Sequence, residues 1–186
     1  MGAEVKVERE AASAEVSVGV RAGAELAPLE IPVTRTLIVS GAIASRDYQD
    51  VHHDAELAKE KGSPDIFMNI LTTNGLVGRY VTDHFGPDAV LRKVAIRLGA
   101  PNYPGDTMVL TGTVTEVQEG TGSGSGDGSG SEGGGATAVV RIVGANGLGK
   151  HVTGTVTVTL PRLPSLASSP NPPSAPSSTS VSGRPA

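Results

Sequence analysis

Residues 66–86, IFMNILTTNGLVGRYVTDHFG, decide the architecture of this chain. Ile66, Ile70, Thr73, Val77, Tyr80 and Val81 fall near one helical face, and Gly86-Pro87 supplies a stop. The spacing predicts a buried central helix. Gly75 and Gly78 inside it each cost about 1 kcal/mol relative to Ala, so close packing against a sheet is expected to offset them. Downstream the hydrophobic period switches from helical to two. AVLRKVAIRLGA (89–100), DTMVLTGTVTEV (106–117), ATAVVRIVGA (136–145) and GKHVTGTVTVTL (149–160) read as four strands. Pro101 to Gly105 joins the first two, and Asn146-Gly147 marks a hairpin between the last two.

Upstream of the helix, LEIPVTRTLI (29–38) is β-branched and predicts a strand, which Pro32 pushes toward a sheet edge. The polar run SRDYQDVHHD (45–54) follows without any period. Asp54 then has the position of an N-cap for a short helix, AELAKEK, ended by Gly62. Strand, loop, long helix and antiparallel meander together predict an α+β fold with the helix lying on the sheet.

The chain has 186 residues, but Gly and Pro confine the foldable part. Residues 119–135 hold 9 of the 25 Gly, and residues 161–186 hold 7 of the 13 Pro, so neither segment can supply a core. Residues 1–24 are rich in Ala, Ser and Glu and read as a disordered extension. The expected organisation is therefore one domain, 25–160, with a Gly/Ser-rich insertion at 119–135 and a disordered Pro/Ser-rich tail at 161–186.

Composition also narrows the function. A net charge of −4, no Trp, and only three Tyr and two Phe argue against nucleic-acid binding, which needs a basic surface or stacking faces. With no Cys, disulfides, zinc–thiolate sites and thiol nucleophiles are all excluded. The charged N-terminus does not read as a secretory signal, and no apolar run approaches the roughly 18 residues of a membrane span. A cytoplasmic location without a membrane partner is expected.

Chemistry-bearing residues concentrate in Arg46-Asp47-Tyr48-Gln49-Asp50-Val51-His52-His53-Asp54. Three readings stand side by side. Asp50, His52, His53 and Asp54 offer metal-ligand atoms, although adjacent His side chains diverge in extended chain and no further His sits at a supporting spacing. The Asp residues are also suited to capping turns and helices. In the third reading a carboxylate and an imidazole, five positions apart on a loop, converge on one water for acid/base catalysis, while the N-terminal amides of the long helix face a carbonyl oxygen.

Asp47-x-Gln49-x-x-His52 resembles the D-x-N-x-x-H signature of the MaoC-like, (R)-specific enoyl-CoA hydratases, which have a hot-dog fold, an antiparallel sheet wrapped around a long central helix. LRKVAIRLGAPNYPGDTMVLTGTVTEV (91–117) is similar to a strand pair of that family. TLIVSGAIASRDYQDVHHD (36–54), GSPDIFMNILTTNGLVGRYVTD (62–83) and IRLGAPNYPGDT (96–107) resemble the small MaoC-like subunit of actinobacterial hydratases that act on steroid side-chain enoyl-CoA esters. The resemblance implies that Asp47 and His52 are catalytic, holding and deprotonating the water that adds to the β-carbon. It implies substrate binding by Gln49, where Asn is usual, and by Asn69 and Ile70. There the family's His-Gly-Met is replaced by Asn69-Ile70-Leu71, so the amide that would receive the thioester oxygen belongs to Ile70.

The implied substrate is an α,β-unsaturated acyl-CoA, with no metal or redox cofactor. A hot-dog acyl-CoA thioesterase and a non-catalytic MaoC-like subunit are the alternatives. A lone unit would leave Phe67, Leu71 and Leu76 short of cover, so a homo- or hetero-oligomer is expected, and the resemblance suggests a larger MaoC-like partner. Arg92, Lys93 and Arg97 are basic residues on a strand, suited either to coenzyme A phosphates or simply to water. His84 suits the C-terminal end of the helix dipole, and His151 on the last strand has no evident partner.

Overall fold

A computed structural model describes residues 20–119 and 135–160. The expected disordered tail 161–186, most of the expected disordered extension 1–24 and most of the insertion lie outside these residues; residues 20–24 are described, and there the Gly23 N–H donates to the Val114 carbonyl at 2.8 Å, so the extension is shorter than expected. Along the chain come β1 (Glu25–Pro32), α1 (Arg35–Ala44), a 3₁₀ turn (Asp50–His52), α2 (Ala55–Glu60), α3 (Ile70–Phe85), β2 (Val90–Leu98), β3 (Thr107–Glu119), β4 (Ala136–Asn146) and β5 (Gly149–Leu160). All five strands join one antiparallel sheet in the order β1-β3-β4-β5-β2.

Alternation puts the sheet's apolar side chains on α3. Ala138, Val140 and Ile142 of β4, Val152, Val156 and Val158 of β5, and Met108, Leu110 and Val114 of β3 are buried in one cluster with Val77, Tyr80 and Val81 of α3. Burial of this kind is the main stabilising term, about 25 cal/mol per Å² of apolar surface removed from water. Gly78 explains its own place in the helix, because a Cβ there would lie 3.1 Å from Leu91 Cδ1. Gly75 has no neighbour of that kind, so the expected packing reason holds for only one of the two glycines.

Three sequence expectations need correction. The β-branched run 29–38 is not one strand: β1 ends at Pro32 and α1 begins at Arg35. Thr34 is the divide, an extended N-cap whose hydroxyl accepts from the Leu37 N–H at 3.0 Å. Ile38 and Ala42, one helical turn apart, then face the core. The long helix starts four residues later than its apolar pattern, because Ile66 to Met68 lie outside any helix and Asn69, itself extended, caps Ile70 onward. The four downstream strands are not a simple meander either. Only β3, β4 and β5 follow one another; β2 pairs with β5, Val90 opposite Thr159, and so forms the far edge.

α2 is capped as expected, with Asp54 Oδ1 accepting from the Glu56 and Leu57 N–H groups. The β4–β5 hairpin closes between Asn146 and Gly149. Leu71 is exposed, as the lone-unit argument requires, whereas Phe67 and Leu76 are half-buried. Among the described residues no helix is long and apolar enough to cross a membrane.

Candidate active site

Asp47 is fixed by the way α1 ends. Ser45 is the C-cap, the Arg46 N–H donates to the Ile43 carbonyl at 3.1 Å, and the Asp47 N–H donates to the Ala42 carbonyl at 2.9 Å. This is a Schellman pattern, which needs a left-handed residue at the position of Arg46. Arg46 has φ 56°, a conformation that costs a non-glycine residue about 1–2 kcal/mol. The last turn of α1 is in turn held close to the first turn of α3. Gly41 permits that approach: a Cβ on it would lie 2.2 Å from Thr72 Oγ1.

His52 is placed by the 3₁₀ turn and by the irregular segment before α3. The Phe67 N–H donates to the Val51 carbonyl at 3.0 Å, and the His52 ring lies edge-on to Phe67 with centroids 5.0 Å apart. His52 Nδ1 is 2.7 Å from the Phe67 carbonyl. A carbonyl only accepts, so Nδ1 carries the hydrogen, and Nε2 is the free nitrogen of the neutral ring. That nitrogen faces Asp47 Oδ2 across 3.4 Å. The His52 side chain is 8% exposed and that of Asp47 18%, so the pair is sheltered but still open to solvent on the carboxylate side.

Asn69 completes the cluster. Its Oδ1 accepts from the Thr72 N–H at 2.9 Å as the cap of α3, which orients the amide so that Nδ2 donates to Ser45 Oγ at 2.9 Å and to Asp47 Oδ2 at 3.0 Å. Asn69 is buried, and every polar atom of its side chain is used. The N–H groups of Ile70 and Leu71, in the first turn of α3, have no intrahelical acceptor, and both side chains are exposed.

Of the five site residues expected from sequence, Asp47, His52 and Asn69 are therefore brought together. Gln49 is exposed and makes no capping bond, and Ile70 lies beside Asn69 at the helix start. The other polar residues of the loop are engaged elsewhere. His53 Nε2 meets the Tyr48 carbonyl, Asp54 caps α2, and Asp50 is bonded by Lys61, which pulls its carboxyl below the usual Asp range. Among the described residues no three His, Asp or Glu side chains gather as metal ligands would. Arg92, Lys93 and Arg97 are exposed on the edge strand β2, where Arg92 bonds Thr159. Sequence reasoning missed Ser45 and the Phe67 carbonyl, since neither is marked by residue type or spacing.

Comparison with known proteins places the chain in a family. The MaoC like domain matches residues 19–132. The chain is 45% identical over 138 residues to the 3-oxo-4,17-pregnadiene-20-carboxyl-CoA hydratase beta subunit of Mycobacterium tuberculosis, covering 74% of this chain and 95% of that one. Among solved structures it superposes on the ChsH1-ChsH2 complex from Mycobacterium tuberculosis with a TM-score of 0.65 at 45% identity, over 75% of this chain and 97% of that one. An (R)-hydratase from A. caviae involved in PHA biosynthesis shares the fold at 17% identity, with a TM-score of 0.63 over 76% of this chain and 98% of that one. The sheet-on-helix arrangement is thus the hot-dog fold, and the chain belongs to the MaoC-like hydratase and dehydratase family and is a hydro-lyase.

Proposed function

We propose that the chain adds water across the double bond of an α,β-unsaturated acyl-CoA, with Asp47 and His52 as the catalytic pair. The observation that carries this reading is the pair's geometry: two acceptor atoms, Asp47 Oδ2 and the free His52 Nε2, 3.4 Å apart on the open side of a buried amide clamp. One water donating to both atoms would aim its lone pair outward at a bound enoyl group. As its oxygen bonds the β-carbon, one proton passes to Asp47 and is returned to the α-carbon on the same face. The π electrons move onto the thioester oxygen and back. The free N–H groups at the start of α3, that of Ile70 first, are the donors available to that oxygen. The thioester takes the developing charge, so the proposed reaction calls on no metal or redox group. In this reading Gln49 contacts substrate from the rim of the site, and Asn69 acts through Asp47.

The acyl group is proposed to be a steroid side chain, in line with the name of the 45% identical relative. The working form is proposed to be a hetero-oligomer with a larger MaoC-like subunit, since the superposed Mycobacterium tuberculosis structure is itself a complex of ChsH1 with ChsH2. Exposed Ile43, Tyr48, Ile70 and Leu71 suit such an assembly, because a lone unit leaves them in water. A cytoplasmic location goes with an acyl-CoA substrate. The test is to purify the chain alone and co-expressed with a large MaoC-like partner, and to follow loss of the enoyl-thioester absorbance with steroid and short-chain esters. Hydration that requires the pair of subunits and vanishes with Asp47→Asn supports the proposal. Release of free coenzyme A thiol without hydration would overturn it in favour of a thioesterase.

A further inference from the structure

His151 has no part in the hydration step, yet it is one of the most buried polar residues described, 1% exposed on β5. Both ring nitrogens are engaged. Nδ1 lies 2.6 Å from the Ala100 carbonyl and Nε2 lies 2.9 Å from Thr73 Oγ1. Since the carbonyl only accepts, Nδ1 carries the hydrogen, and the Thr73 hydroxyl donates to the bare Nε2. Burial disfavours the charged ring and pushes its pKa below the ordinary imidazole value, against a smaller opposing effect of the Ala100 carbonyl, so this arrangement persists at neutral pH.

The direction of the Thr73 hydroxyl matters because of what stands on its other side. Thr73 Oγ1 is also 3.3 Å from the carbonyl of Asn69, four residues earlier, which the Thr73 N–H already uses at 3.2 Å as the first bond of α3. A threonine that donates its hydroxyl back to the carbonyl at i−4 weakens and bends the helix. Here the better acceptor is His151, at the shorter distance, so the hydroxyl is drawn away from the Asn69 carbonyl and the first turn keeps its regular bond. Asn69 is the residue whose amide reaches Asp47.

We propose that His151, acting through Thr73, is a positioning residue for the Asp47–His52 pair: it holds the first turn of α3 so that Asn69 Nδ2 stays in place on Asp47 Oδ2. The inference rests on the hydratase reading above. Two isosteric choices separate it from a merely structural role. His151→Asn keeps an N–H where Nδ1 stood, for the Ala100 carbonyl, but loses the acceptor for Thr73. His151→Gln keeps an acceptor at the Nε2 position. Thr73→Val removes the hydroxyl with little change in volume, and Thr73→Ser retains it.

The experiment measures kcat, KM and melting temperature of these four variants and of Asp47→Asn, in whichever assembly is active. We expect His151→Asn and Thr73→Val to lower kcat roughly tenfold with KM within about twofold, and His151→Gln and Thr73→Ser to stay within about threefold of the parent, the scale of losses from misplacing a catalytic group. If His151→Gln loses as much as His151→Asn, or if folded Thr73→Val keeps the parent kcat while Asp47→Asn is inactive, the positioning role is overturned and the hydratase reading stands. Should the His151 variants not fold, the two Thr73 variants decide the matter. If Asp47→Asn is itself fully active, the hydratase pair is wrong and the positioning role falls with it.

Discussion

His52 and His151 hold their rings in the same way. Each donates Nδ1–H to a backbone carbonyl, Phe67 at 2.7 Å and Ala100 at 2.6 Å, and each therefore presents a bare Nε2. What that nitrogen meets is different. For His52 it is a carboxylate 3.4 Å away whose side chain is 18% exposed, whereas for His151 it is a hydroxyl at 2.9 Å in the interior. The carbonyl lock sets the tautomer in both places, but only a bare nitrogen with no donor already on it is able to accept a hydrogen bond from a water. A donor already in place turns the same ring into a fixed acceptor, useful for geometry alone.

Substitutions at the open site should have the most severe effect. Asp47→Asn and His52→Gln are each expected to lower kcat by roughly 10²-fold or more with a smaller change in KM, and the double variant to be little worse, since groups that act on one water fail together. Steady-state kinetics on proteins shown to be folded by circular dichroism is the check. A parent-like rate for Asp47→Asn would reduce Asp47 to a turn residue and erase the difference between the two rings.

Gly41→Ala strikes the same site from behind without touching His151. The added methyl would overlap Thr72 and separate α1 from α3, so kcat should fall roughly tenfold as Asp47 moves off Asn69, and the melting temperature should drop. Differential scanning calorimetry beside the kinetics checks both parts; an unaltered melting point would mean that the two helices have room to spare.

The closed site should reveal itself through acid stability instead. The folded pKa of His151 lies below the ordinary 6.5 that the unfolded chain retains, so the unfolded state binds the extra proton first. The stabilisation is fully present above about pH 6.5 and is lost as pH falls below that value toward the folded pKa. Urea unfolding at several values between about pH 7.5 and 5 should show this loss in the parent and a flatter profile in His151→Gln. The smallest effect is expected at Gln49, exposed and without a capping bond, where Ala should change kcat by no more than about threefold in the same assay.

Most of the sheet, most of the long helix and the cap of α2 were legible in the sequence because they rest on local signals: period two in the strands between residues 89 and 160, a helical period from residue 66, and Asp54 three residues before Leu57. The helix α1 was not, since TLIVS is β-branched by composition and only the Thr34 hydroxyl, which bonds Leu37, starts a helix there. The order of the strands was hidden for another reason. Nothing in β2 itself says that its partner is β5 rather than β3. Within the site, Asp47 and His52 are near in sequence and could be paired from a motif, and Asn69 from the resemblance. The contact of His151 with Thr73 spans 78 positions and joins a strand to a helix, so no spacing rule reaches it.

The position of β5, between β4 and β2, also sets the order in which the fold can be assembled during synthesis. β2 leaves the ribosome early, but each of its ladder bonds, from Val90–Thr159 to Leu98–Val152, waits for the last strand to emerge. Until then β2 and the Leu91 side chain that seats Gly78 have no partner strand, and α3 lacks the Val152, Val156 and Val158 side chains that close its core. Non-local pairing of this kind slows folding and leaves apolar surface open to other chains in the interval. A nascent chain truncated before Gly149 would be left with β2 unzipped, and it would be a natural client for chaperones.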